Sequence, residues 1–128
     1  MKYLIDTDVI VNYLRAKIKL EKEILEEGAG ISIITLGELI YGAYKSNQPQ
    51  HSIKIALDFI RESNLRIVDL NQEAIFNFGK LKAELEVSGQ RLEDFDLLIG
   101  ATARVNNLIL VTRNLNHFKR IKDLRLID

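Results

Sequence analysis

The sequence predicts an α/β fold in three layers, with a mostly parallel central sheet flanked by helices. Two observations lead to this prediction. Short apolar runs typical of buried strands alternate along the chain with apolar residues at helical spacing. Polar residues directly follow several of the apolar runs, as expected where a parallel strand gives way to a helix. All 128 residues are predicted to form a single domain, residues 1–128.

The chain begins with a predicted strand over residues 2–5, because Tyr3-Leu4-Ile5 is apolar and too short for a buried helix. Asp6-Thr7-Asp8 then supplies a helix start, since a short side-chain oxygen can accept from the free N–H groups of a first turn. Helical spacing predicts helices over residues 9–14 and 18–27. A second strand is expected over residues 31–33.

The next predicted elements are two helices and a third strand. Thr35-Leu-Gly-Glu38 has the form of a capping box and predicts a helix over residues 35–45. Residues 46–50 contain the only proline and predict a loop. Ile53, Leu57 and Ile60 share one face of a predicted helix over residues 53–60, and a strand over residues 66–68 follows.

In the second half, Asn71 is expected to cap a long helix that runs to residue 87. Its predicted apolar stripe consists of Ile75, Phe78, Leu81 and Leu85. The remaining predicted elements are a helix over residues 92–104, a strand over residues 108–111, a helical turn near residue 118 and a last strand over residues 124–127.

Composition and charge exclude several kinds of site. There are no cysteines, so disulfides, thiolate catalysis and cysteine metal sites are excluded. The net charge is zero, and no long-range field points to a nucleic-acid partner. The end of the chain is nonetheless basic, and Arg113, Lys119 and Arg120 are predicted to contact RNA phosphates, with a simple solvated face as the alternative. We expect a cytoplasmic protein without a membrane span, because neither a signal peptide nor a long apolar run is visible.

The candidate site is a group of polar side chains that follow strands or open helices. It contains Asp6, Glu38, Asp94 or Asp96, and the region of Asn114. A single acid at a helix start is ordinary, because the helix dipole favours it by about 0.3–1 kcal/mol. Several converging acids are different, since two carboxylates about 4 Å apart repel by about 4 kcal/mol at an effective dielectric of 20. A ligand set made only of oxygen atoms favours Mg²⁺ or Mn²⁺, which suits hydrolysis of a phosphodiester bond.

Four motifs carry a resemblance to a known family. They are Leu4-Ile-Asp6-Thr-Asp8, Ile33-Ile-Thr-Leu-Gly-Glu38-Leu-Ile-Tyr-Gly42, Asp94-Phe-Asp96-Leu-Leu-Ile-Gly-Ala-Thr-Ala103 and Leu110-Val-Thr-Arg-Asn114-Leu-Asn-His-Phe118. In this order and at these spacings, the chain resembles a PIN-domain ribonuclease of the VapC toxin type over essentially its whole length. The resemblance implies a PIN-like fold and an endoribonuclease that depends on Mg²⁺ or Mn²⁺.

The resemblance also implies roles for single residues. Asp6, Glu38 and Asp96 match the metal-binding and catalytic acids of the family. Asp94 lies one step outside the most constant motif position and is interpreted as either accessory or merely exposed. The fourth acidic position of many relatives is Asn114 here, which adds no charge and leaves a second metal in doubt. The residues expected to orient the ligands are Thr7, Asp8 and Thr112.

The partners implied by the resemblance are an RNA substrate, a VapB-like antitoxin and a second copy of the chain in a homodimer. The similarity of residues 34–42 to toxins that act on tRNA suggests tRNA as the RNA. The helices over residues 39–60 carry large apolar groups that are candidates for an antitoxin groove, with ordinary core packing as the alternative. These groups are Ile40, Tyr41, Tyr44 and Phe59.

Three other functions fit parts of the sequence. Asp6-Thr7-Asp8-Val9 also matches a phosphatase of the haloacid dehalogenase type, with Asp6 as the nucleophile, but a suitable lysine is missing. A PIN-like module that binds RNA without cutting it is a second alternative. A metal-free ribonuclease that uses His51 and His117 as acid and base is a third.

Overall fold

The computed structural model describes residues 1–128 as a five-stranded sheet with seven helices. The strands are β1 (Tyr3–Ile5), β2 (Ala29–Ser32), β3 (Arg66–Val68), β4 (Ile109–Val111) and β5 (Leu126–Ile127). The helices are α1 (Thr7–Ala16), α2 (Lys22–Glu27), α3 (Ile33–Tyr44), α4 (Pro49–Glu62), α5 (Gln72–Val87), α6 (Asp94–Val105) and α7 (Leu115–Phe118). Every strand pair is parallel, which confirms the predicted α/β fold.

Strand β1 lies at the centre of the sheet and is covered on both faces. Its side chains alternate, so Tyr3 and Ile5 join one apolar core while Leu4 joins another. The first core contains residues of α1, α2, α3 and α4, and the second contains residues of α5, α6 and the chain after α7. A strand buried on both faces cannot alternate between apolar and polar residues, which explains the continuous run Tyr3-Leu4-Ile5.

The strand order β3-β2-β1-β4-β5 places a crevice at the end of β1. The chain moves from β1 outward to β2 and β3 on one side, and later to β4 and β5 on the other side. In open α/β sheets, a ligand site forms at the carboxyl ends of the strands where the order reverses. That point lies between β1 and β4, where the backbone N–H of Asp6 donates to the carbonyl of Val111 at 2.9 Å.

Two predicted helix starts are wrong for reasons of capping. Helix α3 begins at Ile33, because the Ser32 hydroxyl accepts from the backbone N–H of Thr35 at 2.9 Å. Ser32 is therefore the N-cap, and the predicted capping box of Thr35 and Glu38 does not form. Helix α4 begins at Pro49, inside the predicted loop, because proline suits the first position of a helix.

The predicted second helix starts too early, and two predicted apolar positions are exposed. Lys17 has a positive φ of 56° and ends α1, so α2 begins only at Lys22. Leu57 and Ile75 are each 44% exposed, whereas their neighbours Ala56 and Ala74 are buried. The other predicted boundaries differ from the observed ones by two residues or fewer. None of the helices has the length and apolar character needed to cross a membrane.

Candidate active site

Asp6 is the buried centre of the candidate site. It follows β1 as the N-cap of α1 and is only 5% exposed. Its Oδ1 accepts from the backbone N–H of Thr7 at 2.8 Å, and its Oδ2 accepts from the hydroxyl of Thr112 at 2.8 Å. Burial and the negative charge of Asp8 raise the pKa of Asp6 to about 7, although both hydrogen bonds favour the charged form. A buried acid of this kind is a strong candidate for binding a cation.

Glu38 is linked to the surroundings of Asp6 by a hydrogen bond from Thr7. The hydroxyl of Thr7 donates to Oε1 of Glu38 at 2.7 Å, and it lies 3.0 Å from the hydroxyl of the fully buried Thr35. Thr35 in turn lies 3.3 Å from the Ser32 hydroxyl. Two helix starts, those of α1 and α3, are therefore joined by hydroxyl groups. The arrangement fixes one oxygen of Glu38, as expected for a residue that orients a ligand.

Asp8 lies closer to the acids than a capping role requires. Its Oδ1 is buried and has no hydrogen-bond partner. Its charge raises the pKa of both Asp6 and Asp96, which means that the carboxylate lies within electrostatic reach of both. A buried carboxylate oxygen without a donor is costly unless a cation compensates it. The prediction that Asp8 helps to organise the site remains a prediction, and this orphaned oxygen supports it.

Asp96 is brought to the acids by the first turn of α6. It is half-buried, and burial raises the pKa of its carboxyl. The negative charge of Glu38 raises this pKa further, with smaller effects from Glu93 and Asp8, while a positive charge on His117 lowers it. Glu38 and Asp96 therefore lie within electrostatic reach of each other, and the charge of Asp8 acts on both Asp6 and Asp96. The convergence of Asp6, Glu38 and Asp96 remains a prediction.

Asp94 belongs to a different environment, although it is only two residues from Asp96. Its side chain is exposed, and its Oδ1 lies 2.9 Å from Nζ of Lys82 on α5. The ion pair raises the pKa of Lys82 above its ordinary value. Two residues apart on a helix are on nearly opposite sides, which separates Asp94 from Asp96. Asp94 thus has a cationic partner already, which favours the reading of a merely exposed residue, and its accessory role remains a prediction.

Thr112 and Asn114 support Asp6 from the end of β4. The backbone N–H of Asn114 donates to the Thr112 hydroxyl at 3.0 Å, and that hydroxyl donates to Asp6. The amide Nδ2 of Asn114 lies 2.6 Å from Nδ1 of His117 on α7. With a neutral imidazole, the amide donates to Nδ1. The role of Thr112 as an orienting residue remains a prediction, and these contacts support it.

The predicted RNA-contacting residues fall in different places. Arg120 lines a cavity beside Asp94, whereas Lys119 is exposed and lines none of the cavities around the acids. Arg113 donates to the side-chain oxygen of Asn12 on α1 at 3.2 Å. His51 lies on the exposed surface of α4 and is absent from those cavities too, so the structure does not bring it together with His117 there.

The site includes residues that the sequence did not single out. Two neighbouring cavities, of about 490 and 450 Å³, open beside the acids. Their polar lining residues outside the predictions are Lys82, Glu86, Arg91 and Glu93. These residues come from α5 and from the segment that joins it to α6, which carry none of the strand-end motifs. No local signal in the sequence could therefore have placed them at the site.

The donor groups fit a hard divalent cation. The candidate ligands are carboxylates, which Mg²⁺ and Mn²⁺ prefer. The carboxylate of Asp8 beside them has a buried oxygen without a hydrogen-bond partner. As arranged here, no three acidic or histidine side chains converge tightly enough to hold one metal ion. A cation bound between such carboxylates would offset their mutual repulsion.

Comparison with protein-family models identifies the fold. The PIN domain model matches residues 3–124. The chain is 37% identical over 131 aligned positions to ribonuclease VapC2 of Haemophilus influenzae, with 98% of this chain and 96% of that protein covered. It is 33% identical to the tRNA(fMet)-specific endonuclease VapC of Shigella flexneri, with 100% and 98% covered.

Solved structures give the same result. The VapBC2 complex of Rickettsia felis, bound to a DNA fragment from its promoter, superposes with a TM-score of 0.88 at 31% identity. That alignment covers 99% of this chain and 98% of the matched chain. The DNA-bound VapBC complex of Salmonella typhimurium also gives a TM-score of 0.88, at 33% identity, with 100% and 98% covered. The similarity therefore extends over the sheet, the helices and the candidate site alike.

Proposed function

The chain belongs to the PIN-domain family as an endoribonuclease of the VapC toxin type, and we propose that Asp6, Glu38 and Asp96 form its metal-dependent catalytic site. PIN-domain nucleases generally depend on a divalent metal, and we propose Mg²⁺ or Mn²⁺ for this one. The observation that carries the proposal is the buried Asp6 carboxylate, beside the unpartnered Oδ1 of Asp8. A divalent cation would compensate the negative charge of these buried carboxylates.

The roles of the residues follow from their hydrogen bonds. A divalent cation supplies a nucleophilic water at neutral pH and neutralises charge on the phosphate. Asp6 would hold this cation, since Thr112 and the Thr7 N–H fix both of its oxygens. Asp96 would hold it from α6. Glu38 has one oxygen fixed by Thr7 and would use the other to orient the attacking water and accept its proton.

We propose tRNA as the substrate class. The support comes from relatives such as the tRNA(fMet)-specific endonuclease of Shigella flexneri, which matches the whole chain at 33% identity. Proteins that recognise RNA bind unstacked loops and overall shape, so a structured RNA with exposed loops suits an open site of this kind. Action on tRNA implies a cytoplasmic enzyme.

We also propose a VapB-like antitoxin and a homodimer. The matched structures are VapBC complexes, in which a toxin and an antitoxin are bound together. On α3, Tyr41 is 65% exposed and Tyr44 is 60% exposed, so both are available to a partner helix. Phe59 is different, because it packs against the first core and stacks on Tyr13 with 6.4 Å between ring centroids. It is a core residue here, and Ile40 is half-buried.

The nuclease assignment overturns two of the alternatives considered from the sequence. A phosphatase of the haloacid dehalogenase type does not fit the ribonucleases to which the chain is similar. It would also need a lysine at the phosphate, whereas Lys82 is paired with Asp94. A binding module without catalysis does not fit the family of ribonucleases to which the chain is similar.

The test is cleavage of a mixed tRNA pool by purified protein free of antitoxin. We expect discrete cuts with Mg²⁺ or Mn²⁺, none with EDTA and none with Asp96→Asn, whose fold is checked by circular dichroism. Cleavage that persists in EDTA would contradict the metal site. Failure of Asp96→Asn to fold would instead indicate a structural role for this residue.

A further inference from the structure

A cationic groove lies beside the acids on the far side of Asp94. Its basic side chains come from separate parts of the chain: Lys82 on α5, Arg91 before α6, His117 on α7 and Arg120 after α7. They line a cavity of about 490 Å³ together with three leucines and the acids Glu86, Glu93 and Asp94. Because Lys82 is paired with Asp94, Arg91 and Arg120 are the cations most open to a ligand. We use the name cationic groove for Lys82, Arg91, His117 and Arg120.

The cationic groove is continuous with the candidate catalytic site. Glu93 and Asp94 line this cavity and also the neighbouring one of about 450 Å³, whose other walls include Glu38 and Asp96. His117 lies within electrostatic reach of Asp96. A chain that occupies the groove at one end therefore reaches the acids at the other.

The two arginines are held next to each other. Nη1 of Arg120 donates to the backbone carbonyl of Arg91 at 2.7 Å, which anchors one nitrogen and leaves the rest of the guanidinium free. Arg91 is weakly paired, with 3.7 Å between its Nη2 and Oε2 of Glu86. Arginine presents a planar fork of donors that matches phosphate oxygens, and an anchored arginine loses less entropy on binding.

A polyanion needs such a groove in this protein. The acids that would hold the metal repel phosphates on either side of the cleavage point, and the net charge of zero supplies no attractive field at long range. Arg120 has no acidic partner and Arg91 is only weakly paired, so these two side chains offset the repulsion where the flanking phosphates must lie.

We propose that the cationic groove binds RNA backbone phosphates next to the cleaved bond, with Arg91 and Arg120 as the contacting residues. The inference rests on the proposed nuclease function and adds the path of the RNA across the surface. Phosphate contacts set position and affinity without reading sequence. Loss of these arginines should weaken binding of different RNAs by similar factors.

The experiment measures binding of labelled total tRNA in an Asp96→Asn background, where no cleavage is expected, over a series of salt concentrations. The test variant is Arg91→Gln/Arg120→Gln. The matched control is Lys80→Gln/Arg104→Gln, which removes the same charge from a separate cavity of about 380 Å³. We expect the test variant to raise the Kd at least about tenfold and to reduce the salt slope by about 1–2, as for one or two lost phosphate contacts. The control should change both far less.

The single variant Arg91→Gln tests whether the effect of the double variant comes from lost charge or from a disturbed fold. Arg91→Gln keeps the backbone carbonyl that anchors Arg120, so it removes one cation without breaking that hydrogen bond. It should reduce the slope by about half as much as the double variant. Circular dichroism of each variant confirms that the fold is intact.

The outcomes separate the groove from the nuclease function. Equal losses in the test and control variants would overturn the groove, as would no binding of total tRNA by the parent protein. Wild-type cleavage of tRNA with unchanged affinity in the test variant would overturn the groove and leave the nuclease intact. Binding that depends on the groove, without any cleavage by the wild type, would support the groove and contradict the nuclease. A loss confined to antitoxin binding would assign the groove to a protein partner instead.

Discussion

The hydroxyl of Thr112 donates to Oδ2 of Asp6 at 2.8 Å, across 106 positions of the sequence. Both residues are buried at the crevice between β1 and β4. The same hydroxyl accepts from the backbone N–H of Asn114, so its proton is directed at the carboxylate. The end of one strand therefore determines how the acid at the end of its neighbour is oriented.

Thr112→Val should weaken Mn²⁺ binding, because it removes the donor that orients Asp6. Mutation of a residue that forms a hydrogen bond with a metal ligand typically lowers the metal affinity by about 10–100-fold. A calorimetric titration with Mn²⁺ measures the change, and Thr112→Ser, which keeps the hydroxyl, should stay close to the wild type. Similar affinities for the Val and Ser variants would show that the hydrogen bond does not orient the ligand.

Asp6→Asn should stabilise the metal-free protein at neutral and alkaline pH. Because the pKa of Asp6 is about 7 in the fold and 3.8 ordinarily, this group favours the fold below about pH 4. That contribution is lost as the pH rises through about 7. The variant lacks this dependence, and removal of a buried charge should stabilise it by about 1–3 kcal/mol at pH 8. Thermal unfolding in EDTA at acid and alkaline pH measures the difference.

The control for that prediction is Asp69→Asn, at an exposed carboxylate between β3 and α5, which should leave the stability unchanged. Addition of Mn²⁺ should make the wild type more stable to thermal unfolding than Asp6→Asn, since only the wild type gains stability from binding the metal. An Asp6 variant that is less stable than the wild type in EDTA at every pH would contradict the burial argument.

Asp94→Asn should retain most of the cleavage activity, within about threefold of the wild type. Its carboxylate is exposed and paired with Lys82, and such ion pairs contribute about 0–1 kcal/mol. The measurement is the initial cleavage rate of Asp94→Asn compared with that of Asp96→Asn. Both variants replace an aspartate by asparagine in the same turn of α6, but on opposite sides of the helix. Loss of cleavage in both variants would indicate that Asp94 also binds the metal.

Gly30→Ala should destabilise the fold by about 1–3 kcal/mol, because β2 lies too close to β3 at this point for a side chain. A Cβ at Gly30 would lie 2.7 Å from the backbone carbonyl oxygen of Arg66, which cannot move without breaking the sheet. Gly79→Ala on α5 meets no atom within 4 Å and should stabilise by about 0.5–1 kcal/mol. Urea denaturation of the two variants should therefore give changes of opposite sign.

Parts of the fold could be predicted because their signals are local. The strand Arg66–Val68 and the Asn71 cap of α5 agree with the prediction, since Asn71 accepts from the N–H of Ala74 at 2.9 Å. The start of α3 was not predictable in this way, because both Ser32 and Thr35 could cap the helix. In the structure Ser32 is the N-cap, since its hydroxyl accepts from the N–H of Thr35. Gly100 packs against Ile121 in the segment after α7, a contact between distant segments that no local pattern predicts.

The sequence by itself determined the alternation of strands and helices, the position of Asp6 at the end of a strand and that of Asp94 and Asp96 at the start of a helix. These features follow from short-range periodicity and from the parallel direction of the strands. Glu38 lies one turn further along its helix than predicted, because α3 begins at Ile33. Only the tertiary structure decided the surroundings of each acid, such as Thr112 at Asp6 and Lys82 at Asp94. The physical reason is that hydrogen bonds and ion pairs depend on distances between segments far apart in the chain. Asp94 and Asp96, which open the same helix two residues apart, therefore have different environments.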